Sequence, residues 1–232
     1  MAKTLPKALG ENGKRISIFL GTLGSGKTAI ALNTAWQTAA GGEESILVDL
    51  DVINPYFRSR MLQNEFATYG VKVICPPAEI ARSDLPALPA AIRGALVSRV
   101  RVCMDVGGDS IGATVLGCYR PYLPEGEYRL FLVVNSRRPF TQDTSGIVSA
   151  VKEIEIAAGL RIDCLVNNTN LGLETDIGSI KEGLEIVRKA AEQLGVSVAF
   201  SAVTEQLSKS AADVLGGEVF SLKEFLTPPW MA

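Results

Sequence analysis

The chain has 232 residues, and 47% of them are hydrophobic, which is enough for one large α/β domain with a well-buried core. Its formal charge of −2 excludes a global positive field that would favour nucleic acid or anionic lipid. The chain has no histidine and no closely spaced cysteine pair, so we expect neither a zinc site nor a histidine-based catalytic triad.

We expect neither a membrane span nor a signal peptide from the sequence. No apolar run reaches the roughly 18–20 residues that a membrane span needs, and residues 1–14 lack the apolar segment of a signal peptide. The four cysteines lie far apart, and three of them lie in or beside apolar runs, as reduced core thiols do. We therefore expect a cytoplasmic protein.

Short β-type runs alternate with helix-period segments along the chain, and several of the runs are apolar on both faces, as in parallel strands covered on both sides. The predicted strands are residues 15–20, 45–50, 71–75, 101–106, 129–134, 161–166 and 196–200. The predicted helices are residues 27–40, 57–69, 85–98, 110–119, 142–158, 177–194 and 205–215.

This βαβα alternation predicts an α/β fold, a doubly wound and mainly parallel sheet of about seven strands with helices on both faces. We expect a flexible lead-in at residues 1–14, a single P-loop NTPase domain at 15–226 and a tail at 227–232. Thr141, Asp176 and Asp109 are predicted helix N-caps.

The segment GTLGSGKT, residues 21–28, fits the pattern G-x-x-x-x-G-K-[ST] of a phosphate-binding P-loop, and it lies between a predicted strand and a predicted helix. Its glycines let backbone N–H groups turn inward, and the helix N-terminus adds partial positive charge. Lys27 would contact the β- and γ-phosphates, and the Thr28 hydroxyl would bind Mg²⁺. The expected phosphate ligands are Gly21, Gly24, Ser25, Gly26, Lys27, Thr28 and Ala29.

Carboxylates follow two of the predicted strands at the edge where α/β proteins bind ligands. Asp49 and Asp51 end the second strand, and either could hold Mg²⁺ or orient the water that attacks the γ-phosphate. A turn cap plus a solvated acid is the alternative. Asp105 ends the fourth strand, as a Mg²⁺-binding Walker B acid does. With Gly108 it forms D-x-x-G, whose glycine N–H can meet a γ-phosphate.

The sixth strand ends in NNTN, residues 167–170, where GTP-binding proteins carry N-K-x-D. Asn170 has only one acceptor group, so it cannot replace the aspartate that accepts two hydrogen bonds from guanine. An amide can pair with both N6 and N7 of adenine, so the sequence favours ATP over GTP. A turn without any base contact is the alternative.

Taken in order, GTLGSGKT, VDLD, MDVGG and LVNN resemble the SIMIBI class of P-loop NTPases. Within this class they resemble the CobQ/CobB/MinD/ParA family, which contains the partitioning ATPases, nitrogenase iron protein and the nickel-insertion ATPases. The resemblance covers residues 15–200. It implies that Asp51 positions water, that residues 105–108 form switch II and that Asn167 or Asn168 contacts adenine. It also implies ATP/ADP and Mg²⁺ as ligands, a nucleotide-dependent homodimer and a protein partner of unknown identity.

The sequence departs from this family at two places. Partitioning ATPases carry a second lysine near the start of the loop, where this chain has Thr22. An arginine finger could replace this lysine, and the candidates are Arg58 and Arg60 in FRSR and Arg137 and Arg138 in SRRPF. Cys118 has no second cysteine in the expected arrangement, so we expect no iron–sulfur cluster.

The motifs favour a Mg²⁺-dependent ATPase switch in regulation, partitioning or metallocentre maturation, with Lys27, Asp51 and Asp105 as its catalytic residues. A small-molecule kinase or ATP-dependent ligase on the same fold is one alternative, with the proline-rich residues 75–89 as its lid. A GTPase and a nucleotide-binding module without turnover are the others.

Overall fold

The computed structural model describes residues 5–10, 14–51, 62–75 and 89–225. These residues form one parallel sheet whose eight described strands are β1 (Ile16–Leu20), β2 (Ser45–Leu50), β3 (Val71–Ile74), β4 (Arg101–Val106), β5 (Tyr128–Val134), β6 (Cys164–Asn167), β7 (Ser197–Thr204) and β8 (Val219–Leu222). The strand order is β3-β2-β4-β1-β5-β6-β7-β8. The predicted doubly wound α/β fold is therefore confirmed, with one strand more than expected.

Strand β1 lies at the centre of the sheet, between β4 and β5. The chain leaves β1 toward β2 on one side and returns past it to β5 on the other, so the topology reverses beside β1. Open α/β sheets bind ligands outside the carboxyl ends of the strands at such a reversal. The segment that follows β1 therefore lies at the position where a ligand site is expected.

Seven helices of the described ranges cover the sheet: α1 (Lys27–Ala40), α2 (Gln63–Thr68), α3 (Ala90–Val97), α4 (Ser110–Tyr119), α5 (Thr144–Ala158), α6 (Ile177–Leu194) and α7 (Ser208–Leu215). Helices α3 to α6 pack with Ile16, Ile18 and Leu20 of β1 in one apolar cluster. Helices α1 and α2 pack with Phe19 on the opposite face. Both faces of the strands are therefore buried, which is why they are apolar runs without clean alternation.

Several predicted boundaries differ from the structure. The N-cap of α5 is Asp143, which accepts a hydrogen bond from Gly146 N–H at 2.8 Å, so the prediction of Thr141 was wrong. The Thr141 hydroxyl instead donates to the Asn135 carbonyl at 2.9 Å. Asp109 and Asp176 do cap α4 and α6, as predicted. The predicted helix at 205–215 begins as a 3₁₀ turn, Glu205–Leu207.

Other predictions fall partly outside the described residues, namely the first residues of the predicted helices at 57–69 and 85–98, and the tail at 227–232. No helix within the described ranges is long and apolar enough to cross a membrane. Cys103 and Cys164 are buried free thiols, as expected for core cysteines, whereas Cys118 is exposed. The predicted domain limits remain a prediction.

The segment after β8 is held to α1, the helix that follows the phosphate loop. The Asn33 amide bonds twice to the backbone of Lys223, at 2.9 Å to its carbonyl and 2.8 Å from its N–H. Gln37 donates to the Ser221 carbonyl at 3.0 Å. The Lys223 ammonium lies 4.9–5.3 Å from the ring centroids of Trp36, Tyr69 and Phe225. These contacts fix β8 at the edge of the sheet.

Asn33→Ala should lower the free energy of unfolding by about 1–3 kcal/mol, because it leaves two backbone groups of Lys223 without partners. Urea denaturation of both proteins measures this change. Gln193→Ala, at an exposed position of α6, is the control and should stay within about 0.5 kcal/mol of the wild type. An unchanged midpoint for Asn33→Ala would show that the Asn33 bonds do not stabilise the fold.

Candidate functional site

The turn between β1 and α1 has the backbone shape that the phosphate-loop prediction requires. Gly24 and Gly26 have φ of 78° and 86°, a left-handed conformation that side chains other than glycine rarely adopt. Gly26 is the N-cap residue of α1, and as a glycine it has no side chain with which to cap the helix. The first N–H groups of α1 are therefore available to an anion, and the helix dipole favours negative charge there.

The segment after β4 lies directly against this turn. A Cβ atom added to Gly108 would be only 1.5 Å from the carbonyl oxygen of Gly21. Any side chain at residue 108 would therefore push the two segments apart. Gly108 belongs to the D-x-x-G pattern, so the predicted γ-phosphate sensor and the predicted phosphate loop are in contact.

Lys27 is the first residue of α1, and it is only 5% exposed. Its ammonium forms a 2.6 Å ion pair with Asp51, whose side chain is 4% exposed. The Asp51 N–H in turn donates to Asp49 Oδ1 at 3.1 Å. Asp49 thus accepts the turn hydrogen bond that was the alternative to a role in Mg²⁺ binding. Its side chain is 1% exposed, however, whereas that alternative expected a solvated acid. The structure brings both acids of the second strand to the phosphate loop.

Asp105 completes the charged cluster, because it pairs with Asp49 in the register of β2 and β4. It is 1% exposed, and neither carboxylate oxygen has a hydrogen-bond partner of good geometry among the described residues. Burial raises the pKa of Asp105 to about 7, although Lys27 and the nearby Thr28 hydroxyl oppose the increase. A buried acid in this position needs a further cation or hydrogen-bond donor.

The same cluster keeps Lys27 charged. Burial lowers the pKa of Lys27, but Asp105, Asp51 and Asp49 together outweigh this effect, so the net change is upward. One ammonium faces three buried carboxylates, and ionisation of all three would leave a net charge of −2. The cluster therefore has an excess of negative charge near the N-terminus of α1.

The residues present fit Mg²⁺ only together with other ligands. Within the described residues, no group of three or more His, Cys, Asp or Glu side chains could hold a metal ion. The unpaired oxygens of Asp105 and the buried Thr28 hydroxyl nevertheless offer the hard oxygen ligands that Mg²⁺ prefers. Mg²⁺ commonly uses one or two carboxylates plus substrate phosphates, and this donor set matches that pattern.

The three asparagines at the end of β6 and directly after it have different surroundings. The Asn167 amide is fully buried and bonds to Ile180, Ser201 and Thr169. Asn168 donates from Nδ2 to the Ser25 carbonyl of the phosphate loop at 2.6 Å. Asn170 donates from Nδ2 to the Asn168 carbonyl at 2.7 Å. The base-contact role assigned to Asn167 and Asn168 stays a prediction, since internal hydrogen bonds already engage both amides.

Sequence reasoning did not identify Asn135 as a site residue. Asn135 follows β5 directly and is fully buried. Its Nδ2 donates to the Asn170 carbonyl at 3.1 Å, and its Oδ1 accepts from Asn170 N–H at 3.2 Å and Arg137 N–H at 3.0 Å. Asn135 therefore joins the loops after β5 and β6. The signal that indicated Asp49 and Asp105, a polar residue at the carboxyl end of an apolar strand, was present here as well.

The arginine-finger candidates divide into two groups. Arg58 and Arg60 lie outside the described residues. Arg137 forms an ion pair with Glu182 of α6. Arg138 lies against the phosphate loop, since a Cβ added to Gly24 would be 2.9 Å from its Nε atom. Arg138 is thus adjacent to the site, and a catalytic role for Arg137 or Arg138 remains a prediction.

Similarity to other proteins lies in the fold rather than in the sequence. No protein-family model matches the chain, and no curated protein matches it. Solved structures of FtsY are similar. The Thermotoga maritima cell division protein FtsY has a TM-score of 0.53 at 19% identity, covering 87% of this chain and 65% of its own. Chloroplast FtsY of Physcomitrella patens has a TM-score of 0.59 at 17% identity, covering 90% and 67%.

A third similar structure is the signal recognition particle receptor FtsY of Elizabethkingia anophelis in complex with GDP, with a TM-score of 0.53 at 17% identity. The match covers 82% of this chain and 57% of that protein. These similarities show the fold, and the predicted α/β P-loop NTPase fold is thereby confirmed. The finer resemblance to the MinD/ParA group is not confirmed.

The raised pKa of Asp105 predicts how stability depends on pH. Because the folded protein holds a proton on Asp105 up to about pH 7, it binds more protons than the unfolded chain between about pH 4 and 7. The free energy of unfolding should therefore fall as the pH rises through this window. Urea denaturation between pH 4 and 8, without nucleotide or Mg²⁺, measures it.

Asp105→Asn should remove this part of the pH dependence and stabilise the nucleotide-free protein at pH 7.5 by about 1–3 kcal/mol. Asp213→Asn, at an exposed acid on α7, is the matched control and should keep the wild-type profile. An Asp105→Asn profile parallel to the wild type would contradict the assignment.

Proposed function

We propose that this protein is a Mg²⁺-dependent nucleoside triphosphate hydrolase that acts as a conformational switch. The observation that carries the proposal is the buried Lys27 ammonium, which stands at the N-terminus of α1 and forms an ion pair with Asp51. A cation in a glycine-rich turn at a helix N-terminus is suited to phosphate. Buried carboxylates beside it are suited to the metal that accompanies a triphosphate.

Each residue has a role in this proposal. The backbone N–H groups of residues 21–29 and the Lys27 ammonium bind the phosphates. Thr28 and Asp105 hold Mg²⁺, with Asp49 supporting its shell, and Mg²⁺ would neutralise charge on the β- and γ-phosphates. Asp51 orients the attacking water once Lys27 has turned from it to the γ-phosphate. Gly108 contacts Gly21, so the segment after β4 is placed to respond to the γ-phosphate.

GTP is the nucleotide with the better support. The argument for adenine required an asparagine amide that is available to the base, but Asn170 already donates to the Asn168 carbonyl. Its Oδ1 also lies 3.5 Å from the Gly172 nitrogen. The similar FtsY structure holds GDP, which favours guanine. ATP, the nucleotide first favoured by the sequence, is therefore the second candidate.

The remaining alternatives have weaker support. The proline-rich segment that could act as a kinase lid lies almost wholly outside the described residues, so no observation favours a kinase or ligase. A module that binds nucleotide without turnover would need the same phosphate loop. It would not need Asp51 beside Lys27, and this pairing favours hydrolysis.

Binding and turnover of GTP and ATP test the function. Wild-type protein with Mg²⁺ should bind fluorescent GTP more tightly than fluorescent ATP and release phosphate without an added acceptor. Lys27→Ala should reduce the affinity at least about 100-fold, because a charge-assisted contact to phosphate worth roughly 3 kcal/mol is lost. Asp51→Asn should keep binding but lose turnover, because the amide cannot accept the proton of water.

Four outcomes would contradict parts of this proposal. Equal turnover by wild type and Asp51→Asn would show that Asp51 has no role in hydrolysis. Tighter binding of ATP than of GTP would show that the site prefers adenine. Phosphate transfer seen only with an added metabolite would favour a kinase. Binding without any turnover would favour the non-hydrolysing module.

We further propose that nucleotide drives homodimerisation through the edge of the sheet that carries the site. Leu23 of the phosphate loop and Phe140 of the loop after β5 are 79% and 82% exposed. Phe140 also has the left-handed φ of 70°, a strained conformation for an aromatic residue. Large apolar side chains exposed around a binding site are typical of an interaction surface.

Light scattering with a non-hydrolysable GTP analogue should show a doubled mass, which Phe140→Asn should reduce toward the monomer. Asparagine tolerates the left-handed conformation, so the variant removes the ring without adding strain. Ile156→Gln, at an 83% exposed apolar position near the other end of α5, is the control and should still dimerise. An unchanged monomer mass with the analogue would count against the dimer.

A further inference from the structure

We infer that Asn168 is a positioning residue that holds the phosphate loop in its binding shape. This inference rests on the proposed function and assigns Asn168 a role different from the base contact predicted from the sequence. Its basis is the hydrogen bond between the Asn168 amide and the Ser25 carbonyl, which joins the loop after β6 to the turn after β1.

The orientation of the Asn168 amide follows from its partner. The Ser25 carbonyl oxygen can only accept, so the amide atom 2.6 Å from it must be the donating nitrogen. Asn168 is 5% exposed, so water competes little for this bond. The contact is therefore well defined, short and shielded.

The contact also lies at the part of the phosphate loop that orients the first N–H groups of α1. Ser25 and Gly26 are the two residues before Lys27, and their peptide groups set the direction in which the first N–H groups of α1 point. A Cβ added to Gly26 would be 2.1 Å from Asn168 Nδ2, so the amide fills the space beside this glycine. The amide of Asn168 thus fixes the left-handed turn at Gly26.

Asn168 is itself anchored to the sheet. Its N–H donates to the Val134 carbonyl at the end of β5 at 2.8 Å, and its carbonyl accepts from Asn170 Nδ2. Within the turn, the hydrogen bond from Ser25 N–H to the Thr22 carbonyl is 3.0 Å long. The amide of Asn168 therefore connects a glycine-rich turn to a rigid strand end.

The consequence for binding is that the loop is ordered before the phosphates arrive. A turn that must be ordered on binding loses affinity to conformational entropy, whatever base the ligand carries. Loss of the Asn168 amide should therefore weaken every polyphosphate by a similar factor. A base contact would instead affect nucleotides and leave a base-free polyphosphate unchanged.

Inorganic triphosphate with Mg²⁺ distinguishes these two roles, because it has no base. Displacement of a bound fluorescent nucleotide measures its affinity for wild type, Asn168→Ala and Asn168→Asp. Both variants should lose about 3- to 10-fold in affinity for triphosphate and similarly for GTP and ATP. Asn168→Asp is nearly the same size but places an oxygen against the Ser25 carbonyl, so it should not restore binding.

Thr175→Ala is the matched control. Thr175 bonds to Leu171 and Gly172 within the same loop and makes no hydrogen bond to the phosphate loop. This variant should keep the wild-type affinity for triphosphate. Thermal unfolding of each variant checks that the fold is intact.

Amide hydrogen exchange of the ligand-free protein provides a second readout. Asn168→Ala should increase exchange at residues 22–27, and Thr175→Ala should not. Unchanged exchange, or a loss of nucleotide affinity with triphosphate affinity intact, would overturn the positioning role. If wild-type protein binds triphosphate too weakly to measure, the exchange result decides. A wild-type protein that binds neither nucleotide nor triphosphate would overturn the proposed function itself.

Discussion

A single buried ammonium organises the centre of this protein. Lys27 stands at the first position of α1 and pairs with Asp51, and Asp105 and Asp49 also act on its charge. Removing Lys27 would leave three acids in a space almost closed to water, a cost of several kcal/mol. The central strand, the turn after it and the ends of β2 and β4 must therefore keep their relative positions.

The parallel sheet is what makes this arrangement available. Strands β1, β2 and β4 are neighbours, so their carboxyl ends meet at one edge although they are far apart in the chain. The excess of acid over base at that edge also gives a reason for a ligand-dependent switch. A metal and a triphosphate would bring both a cation for Asp105 and an anion for Lys27, so binding and rearrangement of the acids are coupled.

The strands on the other side of β1 contribute hydrogen bonds that shape the loop. Asn135 joins the loops after β5 and β6, and Asn168 joins the latter to the phosphate loop. The site thus combines an acidic half, formed by β2 and β4, with a half formed by the loops after β5 and β6, which amide side chains join and which places Arg138 against Gly24. The amides can donate and accept hydrogen bonds without adding negative charge beside an anionic ligand.

Local sequence determined those features that local physics controls. The glycines and lysine of residues 21–28 predicted the turn, because the backbone freedom of glycine is a local property. Apolar runs predicted seven strands, because a strand that is buried on both faces needs apolar residues along its whole length. The strand β8 was missed because it lies at the end of the sheet and only one of its four residues is buried, so burial does not impose a continuous apolar run on it. The cap of α5 was placed at Thr141 although aspartate is the stronger N-cap residue, because threonine also caps helices and the sequence does not show at which of the two residues the helix begins.

Tertiary structure decided which of the strand-end residues meet. The sequence indicated Asp49, Asp51 and Asp105 as candidates, but only the strand order puts Asp51 on Lys27 and Asp105 beside Asp49. The same holds for Asn168, whose partner Ser25 is 143 residues away in the chain. Pairing over such distances depends on the topology of the sheet and on burial, and neither is a property of any short segment.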